Sequence, residues 1–204
     1  MFKQVVSVAA VTFLGCGPMN AEVTDDGVAS AESGLQSSEA EALRLMREEE
    51  KLARDVYLTL AAKWNLAIFS NIASSEQTHM DSVLSLLTRY RLPDPAAGNG
   101  VGVFVAPQLQ ALHDQLVAQG SVSMTAALTV GATIEDLDIA DLQRLSGETG
   151  RADILRVYAN LMKGSRNHLR SFYGQLQGAY SPQYLDQATF EAIVTSAQET
   201  GPAR

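Results

Sequence analysis

Four long stretches of this sequence repeat apolar residues at steps of three and four positions between residues 39 and 178. Such spacing places the apolar side chains along one face of an α-helix, and the period-two alternation of half-buried strands is little sustained there. With 46% hydrophobic and 19% charged residues, the chain also has enough apolar material for a core. We therefore predict an all-α fold with a bundle of four long helices over residues 39–178.

The same patterns set approximate limits for each helix. The four long helices are predicted at about residues 39–65, 67–90, 122–146 and 152–176. About 30 residues, which include "GNGVGVF" and a shorter helix at about 107–118, connect the second to the third, and residues 179–204 form a tail with a short helix at about 189–197. Because a long connection lets the chain cross the end of a bundle, we expect a crossover between helices two and three.

Each of the four apolar stripes carries ionisable residues. They are Glu50 in the first helix, Glu76 and His79 in the second, Glu135 and Asp138 in the third, and His168 in the fourth. One such residue can be hydrogen-bonded to a neighbour, but an unpaired buried carboxylate costs several kcal/mol, so four such helices need a common explanation. A divalent metal ion is the simplest one, because it compensates several carboxylates and accepts neutral imidazole as a ligand. Glu76 and His79, three residues apart in "EQTH", project from one helix face towards one centre.

Other polar residues of the helices are predicted at the surface. Glu48 and Glu49 fall off the first apolar stripe, where Lys51 and Arg54 are available for ion pairing. His113, in the crossover helix, is expected to be exposed, as polar side chains mostly are. None of these five residues is therefore expected to take part in the metal site.

The first residues, "MFKQVVSVAAVTFLGC", are predicted to be a targeting segment. A single early lysine precedes an apolar run at residues 5–14, which is shorter than the roughly 20 residues of a membrane-spanning helix. "FLGC" resembles the lipobox of bacterial lipoproteins, so we predict a signal peptide at residues 1–15, lipidation of Cys16 and a flexible tether over residues 16–38. The alternative is a secretory signal cleaved near Ala21. Both place the mature protein outside the cytoplasm, and the first makes it a periplasmic or cell-surface lipoprotein of a bacterial envelope.

The formal charge of −8 and the pI of about 4.8 limit the partners. An acidic chain without a basic cluster is unsuited to nucleic acid and to anionic membrane surfaces. Metal ions are therefore the expected partners, the membrane is contacted only through the lipid anchor, and no redox or protein partner can be named. The single cysteine excludes an internal disulfide.

Several motifs together resemble the ferritin-like superfamily, in particular its rubrerythrin type. The first helix matches the pattern E-x-x-A-x-x-x-Y through Glu50, Ala53 and Tyr57, and the second has the Glu-x-x-His of "IASSEQTH". The third helix matches in part, through Ala127, Leu128, Gly131, Ala132 and Glu135. More closely, "EEEKLARDVY", "NIASSEQTHM", "IEDLDIADL", "GSRNHLRSF" and "YSPQYL" resemble the uncharacterised bacterial and archaeal domain-of-unknown-function 2202 family, over about residues 40–185.

This resemblance implies a ferritin-like four-helix bundle with a central metal site. By this resemblance the implied metal ligands are Glu50, Glu76, His79, Glu135 and His168. The expected cofactor is a transition metal, with iron first and manganese or zinc as alternatives. Two positions depart from the family's motifs. Ala132 stands in place of a glutamate in the third helix, and Ser165 stands in place of the glutamate of a second Glu-x-x-His in the fourth helix. The candidates for an additional ligand or a supporting group are Asp138, Tyr57, Ser165 and Asn167.

Three functions agree with these residues. The first is a metal-binding protein without turnover. The second is a di-iron-type oxidoreductase acting on peroxide or dioxygen, with Tyr57 close enough to relay an electron, although the sequence has no CxxC pair for the rubredoxin-like iron site of rubrerythrins. The third is a metal-free helical adaptor at the cell envelope, whose polar core residues satisfy one another. The fold alone does not decide among them.

Overall fold

The computed structural model describes residues 34–201, and this part of the chain is all α-helical. Its six helices are α1 (Ser37–Trp64), α2 (Ala67–Arg89), α3 (Pro107–Gly120), α4 (Met124–Gly147), α5 (Ala152–Gln175) and α6 (Gln187–Val194). No strand occurs within residues 34–201. The predicted all-α fold is confirmed, and the helices begin and end close to the predicted positions.

Local sequence explains where several of these helices begin and end. At the start of α1, the backbone N–H of Gln36 donates to the Glu39 carboxylate at 3.0 Å, which satisfies a donor that the helix leaves free. At its end, Asn65 adopts a left-handed conformation with φ 51°, which asparagine tolerates better than most residues. The side chain of Ser123 caps α4 by accepting the N–H of Ala126 at 3.0 Å. Each of these capping residues lies next to the helix end that it stabilises, so local sequence is enough to indicate that end.

The four long helices form a bundle in which α1 packs mainly on α2, and α4 mainly on α5. Contacts between the pairs join α1 to α4 and α2 to α5. Neighbouring long helices are antiparallel. This follows from the helix ends and from contacts within each pair: Glu50–His79 (α1 and α2), Tyr57–Glu135 (α1 and α4), Ser75–His168 (α2 and α5) and Asp138–Ser165 (α4 and α5). The chain therefore runs up, down, down and up, and residues 90–123, which contain α3, return it to the opposite end of the bundle.

The crossover covers a polar face of α1 that was predicted to be solvated. Glu48 is buried and its carboxylate accepts the backbone N–H groups of residues 105–106, at 2.6 and 3.1 Å, at the start of α3. Lys51 is also buried, where it pairs with Asp55 and donates to the carbonyl of Gly100 at 2.7 Å. The predicted surface positions of Glu48 and Lys51 are wrong, because the crossover replaces water as the partner of this face.

The predicted exposure of His113 is also wrong. This residue is buried, and its ring packs on Phe104 with the ring centroids 5.4 Å apart. A Cβ atom at Gly102, where φ is 77°, would lie only 2.9 Å from the imidazole. Glycine therefore allows the crossover loop to turn and to lie directly on its own helix.

The bundle core has two apolar clusters with a polar layer between them. One cluster surrounds the mutually packed rings of Tyr57, Phe69 and Phe172. The other lies nearer the start of α1 and includes Leu43 and Leu142. The charged residues of the apolar stripes lie between the clusters, where neither bulk water nor a neighbouring surface charge can compensate them.

The predicted N-terminal features lie outside the described residues for the most part. The signal peptide at residues 1–15, Cys16 and the tether up to residue 33 fall in this part of the chain, and they stay predictions. Within residues 34–201, every helix is either too short or too polar to cross a bilayer.

Candidate metal centre

The polar layer brings together side chains from all four long helices. We call these five residues the metal centre: Glu50 of α1, Glu76 and His79 of α2, Glu135 of α4, and His168 of α5. The three carboxylates are at most 2% exposed and the two histidines 8%. The sequence predicted this set, and the structure places all five in one layer.

The metal centre consists of two overlapping groups that share one residue. Glu50, Glu76 and His79 form the first, and Glu76, Glu135 and His168 form the second; in each, one ligand atom per residue lies within 4.8 Å of the others. Glu76 Oε2 lies 2.7 Å from His79 Nδ1, and Glu76 Oε1 lies 2.8 Å from His168 Nδ1. The Glu76 carboxylate therefore presents one oxygen to each group, so that each group could hold a metal ion with Glu76 between them.

The spacing of the ligand atoms fits a transition metal. Glu50 Oε2 lies 3.2 Å from His79 Nδ1, and Glu135 Oε2 lies 3.4 Å from His168 Nδ1. Nitrogen and oxygen ligands bind a metal such as zinc at about 2.0–2.2 Å, so two ligands of one ion lie about 3.0–3.4 Å apart. The two Glu76–histidine contacts, at 2.7 and 2.8 Å, are shorter than this, so these side chains would have to move apart slightly to bind an ion.

Three atoms of the metal centre have no hydrogen-bond partner although they are buried. They are Glu50 Oε1, Glu76 Oε1 and His168 Nδ1. Buried polar atoms are nearly always hydrogen-bonded, so each exception needs an explanation. Glu76 Oε1 and His168 Nδ1 lie 2.8 Å apart as an ion pair, but their orientation does not suit a hydrogen bond. A cation bound by both atoms would satisfy them, and the donor set thus fits a metal ion.

The residues of the metal centre shift one another's pKa values. Burial alone would raise the pKa of Glu76, but the imidazoles of His168 and His79 hold it well below its usual range. Burial would lower the pKa of His168, and the charges of Glu76 and Glu135 instead raise it to about 10. Burial raises the pKa of Glu50 to about 7 against the opposing effect of His79. Because ligating imidazole must be neutral, the binding of a metal ion at pH 7 would displace protons from the histidines.

Two further side chains hold ligands in place. The hydroxyl of Tyr57 donates to Glu135 Oε1 at 2.6 Å. Ser75 Oγ lies 3.0 Å from His168 Nε2. An N–H donated from Nε2 to Ser75 leaves the Nδ1 lone pair for a metal ion. Sequence reasoning missed Ser75, because a serine next to Glu76 carries no signal of a contact with α5.

Gly164 is the second residue that the sequence did not reveal. A Cβ atom at this position would overlap the Nε2 and Cε1 atoms of His79. The glycine therefore allows α5 to approach α2 closely enough for the two imidazoles to stack, with ring centroids 5.7 Å apart. No other signal marks it, since glycine inside a helix also occurs without such a contact.

The remaining candidates have different positions. Ser165 Oγ donates to Asp138 Oδ2 at 2.5 Å. Both residues lie beside the metal centre and belong to neither of its two groups. Asn167 does not join them, because its side chain bonds the backbone N–H and carbonyl of Glu199, each at 2.9 Å. Asn167 thus holds the C-terminal tail against α5.

Comparisons with known proteins agree with this architecture. The family model DUF2202, described as an uncharacterized protein domain, matches residues 39–197. The uncharacterized protein MJ0754 of Methanocaldococcus jannaschii is 53% identical over 173 residues, which are 83% of this chain and 94% of that protein. The chain is also similar to the crystal structure of hypothetical protein MJ0754 from Methanococcus jannaschii DSM 2661, with a TM-score of 0.78 and 48% identity. The match covers 90% of this chain and 100% of that one. The resemblance to the domain-of-unknown-function 2202 family is thereby confirmed.

Proposed function

We propose, from the premise that this chain belongs to the DUF2202 family of uncharacterized protein domains, that its bundle binds one or two transition-metal ions in the metal centre. The observation that carries the proposal is the position of Glu76, which is shared by two buried groups of carboxylate and imidazole ligands. Three carboxylates in a layer without bulk water need cations beside them. Without metal the two histidines supply them, because the neighbouring carboxylates raise their pKa values, and a metal ion in each group would replace those protons.

The topology supports a ferritin-like interpretation of this bundle. Ferritin-like folds are four-helix bundles with one long crossover, and their dinuclear sites take glutamates and Glu-x-x-His motifs from facing helices. Here the crossover spans residues 90–123, and Glu76 and His79 form such a motif. Ser165 stands where a second motif would have its glutamate, so each group has two carboxylates and one imidazole, and Glu76 is the one carboxylate that they share.

Iron is the metal we propose first, with manganese and zinc as alternatives. The ligands are carboxylate oxygens and imidazole nitrogens, and cysteine contributes none of them. Imidazole suits iron, zinc and copper, whereas carboxylates suit harder ions such as manganese. A set with both kinds of ligand therefore favours iron and its neighbours over the softest ions.

An oxidoreductase is the second candidate function, and Tyr57 is the observation that favours it. This buried tyrosine bonds the Glu135 carboxylate at 2.6 Å and packs on Phe69 and Phe172. A phenol at this position could supply a proton and an electron to chemistry in the centre. The third candidate, a metal-free adaptor, requires the polar residues to satisfy one another. Glu76 and His168 do so as an ion pair at 2.8 Å, whereas Glu50 Oε1 has no partner and argues against the adaptor.

Elemental analysis of the chain, purified without a metal-binding tag, tests the proposal directly. We expect between one and two equivalents of iron, manganese or zinc per chain, as isolated or after reconstitution. Iron near two equivalents, together with consumption of added peroxide, would favour the oxidoreductase. If no metal binds after reconstitution with all three ions, metal binding is excluded and the adaptor remains.

We also propose, from the sequence of the first residues alone, that the domain is exported and tethered to a membrane through lipidated Cys16. The short apolar run and the "FLGC" motif support it. Cell fractionation tests this proposal, because the wild-type chain should sediment with membranes and a Cys16→Ser variant should not. Wild-type chain in the soluble cytoplasmic fraction would contradict it.

A further inference from the structure

The two ligand groups of the metal centre contain the same types of residue, but their surroundings differ. Each group has two carboxylates and one imidazole, and Glu76 belongs to both. The residues that they do not share are Glu135 and His168 in one group, and Glu50 and His79 in the other. We call the first group the α4–α5 position and the second the α1–α2 position, after the helices that supply these residues.

Both unshared ligands of the α4–α5 position have a hydrogen-bond partner outside the centre. Tyr57 donates its hydroxyl to Glu135 Oε1 at 2.6 Å, and the other oxygen, Oε2, lies 3.4 Å from His168 Nδ1. Ser75 Oγ lies 3.0 Å from Nε2 of the same imidazole. In each ligand, one polar atom is therefore held from outside while the other faces the centre. Such partners keep a ligand atom aimed at one point before an ion binds.

Tyr57 is itself fixed in place. Its side chain is fully buried, and its ring packs on Phe69 and Phe172 with the ring centroids 6.1 and 5.5 Å away. A partner that cannot turn away orients the ligand more strictly than a mobile surface group does. The Glu135 carboxylate is therefore held by a rigid part of the core.

The unshared ligands of the α1–α2 position lack this support. Glu50 Oε1 is buried without a hydrogen-bond partner, and Oε2 lies 3.2 Å from His79 Nδ1, inside the centre. The Nε2 atom of His79 faces Gly164, which has no side chain to donate or accept a hydrogen bond. Within residues 34–201, packing alone therefore holds these two ligands from outside the centre.

This difference in support changes the expected affinity for the same kinds of ligand atom. An ion that binds unsupported ligands must also order them, and that cost is subtracted from the binding free energy. Loss of a hydrogen bond to a metal ligand typically costs about 10–100-fold in metal affinity. The α4–α5 position has two such bonds, from Tyr57 and Ser75. It is therefore expected to bind an ion more tightly than the α1–α2 position.

We propose that the two positions fill in order, with the first ion in the α4–α5 position and a weaker, exchangeable second ion in the α1–α2 position. Tyr57 and Ser75 are the positioning residues that set this order. The inference rests on the proposed function, because it requires the centre to bind metal. One retained and one exchangeable ion suit a protein that takes up and releases metal without turnover.

The test is a titration of the metal-free chain with Co²⁺ in competition with a chromophoric chelator, which gives the affinity of the first equivalent. Glu135→Gln and Glu50→Gln are a matched pair, since each keeps the side-chain shape and removes one carboxylate from one position. Glu135→Gln should weaken the first equivalent at least about tenfold, because the ion must then use the unsupported position. Glu50→Gln should leave the first equivalent near its wild-type affinity and remove the second.

A second pair of variants leaves all five residues of the metal centre in place. Tyr57→Phe and Ser75→Ala each remove one supporting hydroxyl, and each should weaken the first equivalent about 10–100-fold while the second changes little. Damage to the fold would weaken both equivalents together, so a narrower gap between them reports the positioning of ligands. Ser74→Ala removes an exposed hydroxyl next to Ser75 and should bind as the wild type does.

The outcomes separate this inference from the proposed function. Weakening of the first equivalent by Glu50→Gln and not by Glu135→Gln would overturn the order. Equal effects of these two variants, or wild-type binding by both Tyr57→Phe and Ser75→Ala, would also overturn it and leave the metal centre intact. If the wild type binds a single equivalent, the same comparison shows whether that ion occupies the α4–α5 position. A wild type that binds no Co²⁺, Fe²⁺, Mn²⁺ or Zn²⁺ would instead refute the proposed function.

Discussion

Glu76→Gln is expected to remove most of the metal from both positions of the centre. This carboxylate supplies one oxygen to each ligand group, so its loss weakens both positions at once. Loss of a group that only hydrogen-bonds to a metal ligand typically costs about 10–100-fold in metal affinity. Loss of a ligand shared by both positions should cost more than that. The measurement is the metal content after dialysis, combined with a competition titration against a chromophoric chelator.

Glutamine has nearly the shape of glutamate, so the bundle should remain folded and helical by circular dichroism. Glu41→Gln serves as the control, because it makes the same change of side chain at an exposed position of α1. Full wild-type stoichiometry in Glu76→Gln would show that Glu76 is not a ligand, and the assignment of both groups would be wrong.

A pair of glycines provides an independent test of the same geometry without touching a ligand. A methyl group at Gly164 would overlap the His79 ring, whereas the space around Gly174, on the same helix, is open. Gly164→Ala should therefore lower metal affinity mainly in the group that contains His79, and Gly174→Ala should leave it unchanged. Both variants replace a glycine of α5 with alanine, but only Gly164→Ala places a methyl group against His79, so a loss of metal affinity in that variant alone reports this contact. Equal affinities would mean that the histidine does not bind metal.

The part of this site that the sequence predicts depends on helix periodicity. Glu50, Glu76 and His168 stand out because each interrupts an apolar stripe, and the period of an α-helix alone identifies the face to which they belong. Their convergence then follows from the packing of four apolar faces on a common core. Periodicity selected Asp138 as well, and the resemblance to the ferritin-like superfamily implied the set of five residues.

Contacts between distant segments could not be predicted in this way. Lys51 and Glu48 are charged residues that fall off the apolar stripe, and their burial depends on where the crossover lies. The sequence indicates that a crossover exists, but no periodic signal sets its path. Ser75 and Gly164 were missed for a related reason, since small residues at a helix contact carry no hydrophobic signal.

Helix α4 illustrates the same limit in one element. Besides the face with Glu135, it has a second apolar face with Ile134 and Leu137, which lines the cavity shared with α3. A third face carries Asp136, which is fully buried under the tail. A single helix covered on three sides has no clear amphipathic pattern, so sequence periodicity could not determine its orientation.

Asp136→Asn is expected to destabilise the metal-free chain by about 2–5 kcal/mol, because buried donors left without an acceptor cost about 1–3 kcal/mol each. Asp136 Oδ2 accepts the hydroxyl of Tyr180 at 2.9 Å and the backbone N–H groups of Gln183 and Tyr184 at 2.5 and 3.1 Å. Its Oδ1 accepts the N–H of Leu185 at 2.9 Å. An amide keeps the volume but offers only one accepting oxygen, so some of these donors must lose their partner. Urea unfolding in the presence of a chelator measures the loss.

The tail should respond before the bundle does. Residues 180–185 bond the Asp136 carboxylate directly, so Asp136→Asn should open the tail to proteases and to hydrogen exchange while the long helices stay protected. Asp81→Asn makes the same change at an exposed position of α2, where the effect should stay within about 0.5 kcal/mol. Equal stability and equal tail protection in the two variants would show that Asp136 does not hold the tail.

Because Asp136→Asn leaves all five residues of the metal centre in place, its folded fraction should still bind the wild-type amount of metal at saturation. Loss of metal in Glu76→Gln and loss of stability in Asp136→Asn would then separate the role of the centre from that of its scaffold.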